Sequence, residues 1–227
     1  MFAAQTGAVM PLASEPHHHL SLHNEYVNVY QVQVGSHDSV LLHRHDFDAI
    51  SVMLNDSQVT VYTPGKPEAH HKLIAGQIRL QPRGYVHSTT IDGDTTYRNV
   101  TVELLLPQEG EHNLCAGVIP DKPLNCPAAE ATNSPTNSDQ LQFESDESSV
   151  KLMRVLPRQN VTIGHPDYPE LVLALDAGLA TEGDRASSKR ALNPGEFVWL
   201  ESGKASELLK NDGDKESRIV VFTFRHP

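Results

Sequence analysis

The stretch that decides the fold is Gly76-Gln77-Ile78-Arg79-Leu80-Gln81-Pro82-Arg83-Gly84-Tyr85-Val86-His87. Its first part alternates apolar and polar residues with the period of two that is typical of a half-buried β-strand. Pro82-Arg83-Gly84 then predicts a tight turn, because proline presets its own φ angle and glycine tolerates a positive one. His87 stands at the start of the strand that follows. The stretch therefore predicts strand, turn and strand, with a histidine just beyond the turn.

A second histidine-bearing stretch, His43-Arg44-His45, lies about 30 residues earlier. Residues two apart on a strand point to the same face, so both imidazoles can reach one ion. With 13 histidines in 227 residues, such a pair arises by chance. His17 and His19 form another, which we assign to an exposed N-terminal arm. The pair at 43 and 45 is therefore informative only together with residues 76–87.

Together the two stretches resemble the cupin superfamily over residues 20–106. The second cupin motif is written G-x5-P-x-G-x2-H, and its fixed positions are occupied by Gly76, Pro82, Gly84 and His87. The first motif is written H-x-H-x3,4-E-x6-G, and its histidines are matched by His43 and His45. The resemblance implies a double-stranded β-helix barrel with a metal inside it. The implied ligands are His43, His45 and His87.

Two positions depart from the family pattern. The glutamate that completes the usual four-ligand set would fall at Ala49 or Ile50, and the asparagine that often ends the second motif would fall at Ile91. Asp46 and Asp48 are near, but a shift of one residue turns a strand side chain to the opposite face. The resemblance therefore implies three histidines with open coordination positions. Such a site suits a divalent transition metal, and it does not choose among Fe, Ni, Zn, Cu, Co and Mn.

Five polar residues are candidates for lining the pocket. They share strand faces in two groups, Arg79 with Gln81, and Asn99 with Thr101 and Glu103. The alternative for each is an outward-facing polar residue on a half-exposed sheet. The sequence assigns no catalytic residue.

The second half of the chain repeats the first. Residues 39–47 align with 160–168, 50–54 with 171–175, 76–80 with 195–199, and 98–105 with 218–224. The ligand positions of the second copy hold Gly164, Pro166 and Ser206, and Glu170 stands at the glutamate position without histidines beside it. We therefore predict a second, metal-free barrel. The alternative is two unrelated β segments in chance register.

The predicted fold class is all-β, with two double-stranded β-helix (jelly-roll) cupin barrels in one chain. The predicted divisions are an N-terminal arm (1–19), a metal-binding barrel (20–106), a linker rich in Pro, Ser and Asn (107–148) and a degenerate second barrel (149–227). Cys115 and Cys126 fall in the linker. A disulfide between them would fit an exported protein, and two free thiols are the alternative.

Composition limits the partners. A formal net charge of −11 argues against binding to nucleic acid or to an anionic membrane surface. No run approaches the roughly 18 consecutive apolar residues of a membrane-spanning helix. We expect a small-molecule ligand and a monomer or homodimer. Met1-Phe2-Ala3-Ala4-Gln5 fits the end of a removed export signal as well as an ordinary cytosolic N-terminus, so periplasmic, secreted and cytoplasmic locations all stay open.

Two classes of function follow from the resemblance. The first is a metal-dependent enzyme acting on a small molecule, because three-histidine cupins include dioxygenases of thiols or diketones and some non-redox lyases. Open coordination positions favour it. The second is a non-catalytic binding, sensing or storage-type cupin, favoured by the degenerate repeat and by the lack of an identifiable general base. The sequence shows neither a Ser-His-Asp order nor a nucleophilic cysteine, so it does not predict a hydrolase that uses a serine or cysteine nucleophile.

Overall fold

The computed structural model describes residues 8–110, 112–113, 136–182, 189–203 and 206–225. These residues divide into two compact units, with the boundary between Pro107 and Gln108. Among them, no helix has the length and apolar character that crossing a bilayer requires. Cys115 and Cys126 lie outside the described residues, so their disulfide stays a prediction.

The first unit contains ten strands and one 3₁₀ turn, Leu12–Ser14. The strands are β1 (Met10–Pro11), β2 (His18–His23), β3 (Val27–Val34), β4 (Ser39–Arg44), β5 (Asp48–Met53), β6 (Ser57–Tyr62), β7 (Ala69–Leu73), β8 (Ile78–Gln81), β9 (Val86–Ile91) and β10 (Tyr97–Leu104). They form two five-stranded sheets, ordered β1-β4-β9-β6-β7 and β2-β3-β10-β5-β8. The pairing of β1 with β4 is parallel, whereas the other pairs in this unit are antiparallel.

The core of the first unit lies between its two sheets. Alternation places one face of each strand inward, so that Val59 and Val61 of β6 are buried while Gln58 is exposed. Both sheets contribute to one apolar cluster, which also includes Leu12 of the 3₁₀ turn. The cluster comprises Leu12, Tyr30, Val32, Val34, Val40, Met53, Val59, Val61, Leu73, Ile91 and Tyr97.

The second unit repeats this arrangement. Its strands are β11 (His112–Asn113), β12 (Ser138–Glu144), β13 (Ser148–Val155), β14 (Asn160–Ile163), β15 (Glu170–Ala174), β16 (Leu179–Glu182), β17 (Lys189–Leu192), β18 (Phe197–Leu200), β19 (Glu207–Asn211) and β20 (Ser217–Phe224). Its sheets are ordered β11-β12-β13-β20-β15-β18 and β14-β19-β16-β17. The order β13-β20-β15-β18 matches β3-β10-β5-β8 of the first unit. The predicted all-β class with two jelly-roll barrels is confirmed.

The structure differs from the sequence prediction at two segments. Residues 10–19 do not form a separate arm, because Leu12 is buried in the core and β1 pairs with β4. Residues 138–144 do not belong to a linker, because they form β12 and pair with β13. A bulge between Leu141 and Phe143 interrupts the alternation of β12, which explains why the sequence pattern did not reveal that strand.

Candidate metal centre

Strand pairing brings the three predicted histidines together. His43 on β4 lies directly opposite His87 on β9, after an irregularity in the pairing between Val40 and His43. His45 follows the end of β4 and is fixed by the turn before β9. Its N–H donates to the Tyr85 carbonyl at 3.0 Å, and its carbonyl accepts from the Gly84 N–H at 2.8 Å. Gly84 has a φ of +82°, so the turn uses the freedom that only glycine has without strain.

The three imidazoles form a compact, buried cluster. Each residue offers one nitrogen, and these nitrogens all lie within 4.8 Å of one another. His43 and His45 are 1% exposed and His87 is 7% exposed. The Nε2 atoms of His45 and His87 are 3.1 Å apart. The described residues contain no other group of His, Cys, Asp or Glu with this geometry.

Unsatisfied nitrogens in this cluster fit a bound cation. Nδ1 of His43 donates to the Leu41 carbonyl at 2.8 Å, which leaves Nε2 as an acceptor. Within the described residues, that buried Nε2 and Nδ1 of His45 have no hydrogen-bond partner. A buried acceptor without a partner costs about 1–3 kcal/mol, and a metal ion would satisfy it. Three imidazoles are also a donor set that suits transition metals.

The electrostatics keep all three rings in the metal-binding form. Burial lowers the pKa of His43 to about 4, although the hydrogen bond to Leu41 opposes the shift. Burial, followed by the nearby imidazoles, lowers the pKa values of His45 and His87 well below the ordinary value. The cluster is therefore neutral at pH 7. Neutral imidazole is the form that binds a metal without first releasing a proton.

A small polar chamber of about 10 Å³ lies at the cluster. It is lined by His18, Val32, Val40, His43, His45, Ser51, Gln81, His87, Thr89, Tyr97, Asn99 and Thr101. This volume has room for about one water molecule or ion. Ser51 donates to the side chain of Gln81 at 2.9 Å, and Thr101 donates to that of Asn99 at 2.9 Å. Three of the predicted lining residues, Gln81, Asn99 and Thr101, therefore lie in the chamber.

A larger cavity of about 260 Å³ adjoins the chamber and shares His87, Gln81, Thr89 and Tyr97 with it. Arg79, another predicted lining residue, lies in this outer cavity. The ring of Tyr85 stacks on that of His87, with centroids 4.6 Å apart and an interplanar angle of 18°. The two cavities together give the site an inner part the size of an ion and an outer part the size of a small molecule.

Glu103 lines neither cavity. It is buried, and its Oε2 accepts hydrogen bonds from Asn28 Nδ2 at 2.8 Å and from the Tyr30 hydroxyl at 3.2 Å. Burial raises the pKa of this carboxyl, although both hydrogen bonds lower it in part. Glu103 therefore tethers β10 to β3 beside the site, which differs from its predicted place in the pocket.

His18, which the sequence did not identify, lines the chamber, and Glu15 lies behind it. The side chain of His18 is 6% exposed, and its ring centroid is 5.1 Å from that of His43. Nδ1 of His18 is 2.6 Å from the buried carboxylate of Glu15. The only signal in the sequence is the histidine run at residues 17–19, for which we predict an exposed arm. That assignment is wrong for His18, whereas His19 is exposed.

In the second unit, the positions equivalent to His43 and His87 face each other without room for imidazoles. A Cβ added to Gly164 would lie 3.3 Å from the Ser206 Cα, and Gly164 has a φ of +102°. Glu170 is engaged elsewhere, since its carboxylate accepts from the Gly164 N–H at 2.9 Å and from the Thr223 hydroxyl at 3.1 Å. These contacts give a physical reason for the predicted degeneracy of the second barrel.

No family model and no curated protein matches the chain. Several solved structures, however, are similar to the chain. One is AerE from Microcystis aeruginosa, with 10% identity and a TM-score of 0.60 over 93% of this chain and 99% of that one. Another is a cupin 2 conserved barrel domain protein from Leptotrichia buccalis, with 7% identity and a TM-score of 0.56 over 90% and 86%.

A third similar structure is a variant of salicylate 1,2-dioxygenase from Pseudoaminobacter salicylatoxidans in complex with gentisate. It shares 10% identity and has a TM-score of 0.63, over 96% of this chain and 76% of that one. At this identity the likeness concerns the fold. Together with the sheet order and the paired motifs, it confirms the resemblance at that level. The chain has the cupin fold, in two copies.

Proposed function

We propose that the chain is a metal-dependent cupin that acts on a small anionic molecule at a three-histidine centre in its first barrel. The observation that carries the proposal is the cluster of His43, His45 and His87, with its unsatisfied buried Nε2. When bound there, a transition metal supplies Lewis acidity and open coordination positions. The protein's own part is to keep the imidazoles neutral, to limit water at the chamber and to orient the molecule in the outer cavity.

The charge of the outer cavity supports an anionic ligand. Lys66 and Arg79 line it, and its lining contains no Asp or Glu, although the chain as a whole carries a net charge of −11. Within the described residues, Arg79 has no hydrogen-bonded or ion-paired partner on its guanidinium. A guanidinium binds a carboxylate through two parallel hydrogen bonds. A cavity of about 260 Å³ suits a compact molecule, since the pockets of drug-sized ligands measure about 300–1,000 Å³.

The class of reaction that we propose first is oxygenation of a small carboxylate. One structure with the same fold is a salicylate 1,2-dioxygenase holding gentisate, itself a carboxylate. Its fold supports the proposal together with the cationic outer cavity of this chain. A non-redox lyase and a binding module without turnover use the same site, and the experiments below separate them from an oxygenase.

Elemental analysis of the purified chain and of two variants tests the metal site. The native chain and His19→Ala, which removes an exposed histidine, should each hold about one equivalent of a transition metal. His87→Ala should hold less than a tenth of an equivalent, because the deletion leaves two ligands. Metal retained in His87→Ala would contradict the ligand assignment. A native chain that takes up no added Fe, Ni or Mn would contradict the proposed function.

Calorimetric titration with salicylate and gentisate tests the ligand class. Arg79→Gln should bind these carboxylates about 10- to 100-fold more weakly, because a hydrogen bond to a charged group contributes about 1.5–3 kcal/mol. The matched control is Arg83→Gln, whose exposed side chain lies on the neighbouring turn. Equal affinities in the two variants would contradict the role of Arg79. Oxygen consumption by the iron-loaded chain with the same compounds separates an oxygenase from a lyase or a binding module.

A further inference from the structure

A buried carboxylate outside both sequence motifs organises one wall of the chamber. Glu15 follows the 3₁₀ turn and is 1% exposed. Its Oε2 accepts from Nδ1 of His18 at 2.6 Å, and its Oε1 accepts from the Leu41 N–H at 3.1 Å. The backbone N–H and Nδ1 of His17 add two further bonds, each of 2.9 Å. Burying a carboxylate is costly unless it is fully hydrogen-bonded, and Glu15 meets that condition.

The Leu41 backbone connects Glu15 with the metal-centre histidines. Its N–H donates to Glu15, and its carbonyl accepts from Nδ1 of His43 at 2.8 Å. The hydrogen bond to Leu41 is what leaves Nε2 of His43 as the free acceptor. Groups that support a metal-binding histidine in this way set both its ring orientation and its tautomer. Glu15 therefore acts on His43 through one residue of backbone.

Glu15 also fixes the proton of His18. Burial alone would raise the pKa of the Glu15 carboxyl, but the hydrogen bonds from His18, His17 and the Leu41 N–H outweigh it and lower the pKa to about 2. An ionised carboxylate only accepts hydrogen bonds, so Nδ1 of His18 carries the proton that it shares. The side chain of His18 is 94% buried and lines the chamber.

We propose that Glu15 and His18 belong to the functional site. Glu15 is a positioning residue that orients His18 directly and His43 through the Leu41 backbone. His18 does not bind the metal, and it forms part of the chamber wall beside His43. The nitrogens that lie within 4.8 Å of one another belong to His43, His45 and His87, and His18 does not belong to this group. This proposal rests on the proposed metal site and adds a pair of residues that neither motif contains.

Long-range ¹H–¹⁵N NMR spectra of the metal-free native chain at pH 7 test the proton position without any variant at the carboxylate. Nδ1 of His18 should carry a proton, and the signal is assigned by its loss in His18→Asn. Nδ1 of His43 should carry one as well. A His18 with its only proton on Nε2 would overturn the proposal. This readout does not depend on whether a metal binds.

Zinc affinity, measured by competition with a chelator, tests the positioning role. Glu15→Gln should weaken Zn²⁺ binding about 10- to 100-fold, the effect that changes in groups supporting a ligand produce. Glu25→Gln, which alters an exposed carboxylate nearby, should leave the affinity unchanged. His18→Asn should change it less than threefold, because His18 is not a ligand. Native affinity in Glu15→Gln, or a loss in His18→Asn as large as in His87→Ala, would overturn the proposal.

Discussion

Acid should destabilise the metal-free first barrel through its histidine cluster, and His43 allows the magnitude to be worked out. Its pKa is about 4 in the folded chain and 6.5 as an ordinary histidine. Between these values the unfolded chain binds more protons than the folded chain. The contribution of neutral His43 to the free energy of unfolding is therefore fully present above pH 6.5. It falls as the pH drops toward 4 and does not change further below that value.

The size of the effect follows from linkage. Each unit of pKa difference corresponds to about 1.4 kcal/mol, so lowering the pH from 7 to 5 removes about 2 kcal/mol through His43 alone. The pKa values of His45 and His87 are shifted in the same direction, so they add to the loss. A change of this size is a large part of the stability of an ordinary domain, about 5–15 kcal/mol.

Urea unfolding of the chelator-treated protein at pH 7 and pH 5, followed by circular dichroism, measures this loss. The reference is His43→Gln, which keeps a polar side chain at the position and removes the titrating group. Between pH 7 and pH 5, the free energy of unfolding should fall less in His43→Gln than in the native chain. By the same linkage, the two losses should differ by at least about 2 kcal/mol. Titrating groups remote from His43 affect both proteins and cancel in the difference. His43 also lowers the pKa values of His45 and His87, so its removal adds to the difference. Equal losses in the two proteins would refute the account of a neutral buried cluster.

Three further predictions use the same unfolding assay. Leu12→Ala should lower the free energy of unfolding by about 2–5 kcal/mol, because Leu12 is in the core. Leu20→Ala, at an exposed position, should leave it nearly unchanged. A larger loss in Leu20→Ala than in Leu12→Ala would indicate that residues 10–19 form a separate arm after all. Gly164→Ala should lower the free energy of unfolding by about 1–3 kcal/mol more than Gly84→Ala, since only the first would crowd a neighbouring backbone. Equal losses in the two variants would contradict this packing. A metal at 100 times its Kd should add about 2.7 kcal/mol to the native chain, and a gain of the same size in His87→Ala would contradict the site.

Local patterns were sufficient to predict most of the first barrel. Strands β3, β6, β8 and β10 alternate between apolar and polar residues with a period of two, so each can be recognised from the sequence. The turn at Gly84 is a local signal too, because its positive φ is a property of the residue type. The repeat then extended the prediction to the second barrel, where the sheet order is the same.

What the sequence did not reveal depends on contacts between distant residues. Glu15 and His18 are positioned by contacts with Leu41 and His43, which lie more than 20 residues away in the sequence. Strand β2 is exposed over most of its length, so its residues do not alternate clearly between apolar and polar. Alternation put Glu103 on one face with Asn99 and Thr101, as observed. It could not show that the chamber ends before Glu103, because that depends on the hydrogen bonds from β3.

X-ray absorption at the edge of whichever metal the native chain carries tests the central claim most directly. The account predicts three imidazole nitrogens around the metal, with the remaining positions filled by oxygen from water or from a small ligand. The same measurement on His87→Ala, loaded with excess metal, should show two imidazoles at most. A sulfur ligand, or fewer than three imidazoles in the native chain, would contradict a centre built from His43, His45 and His87.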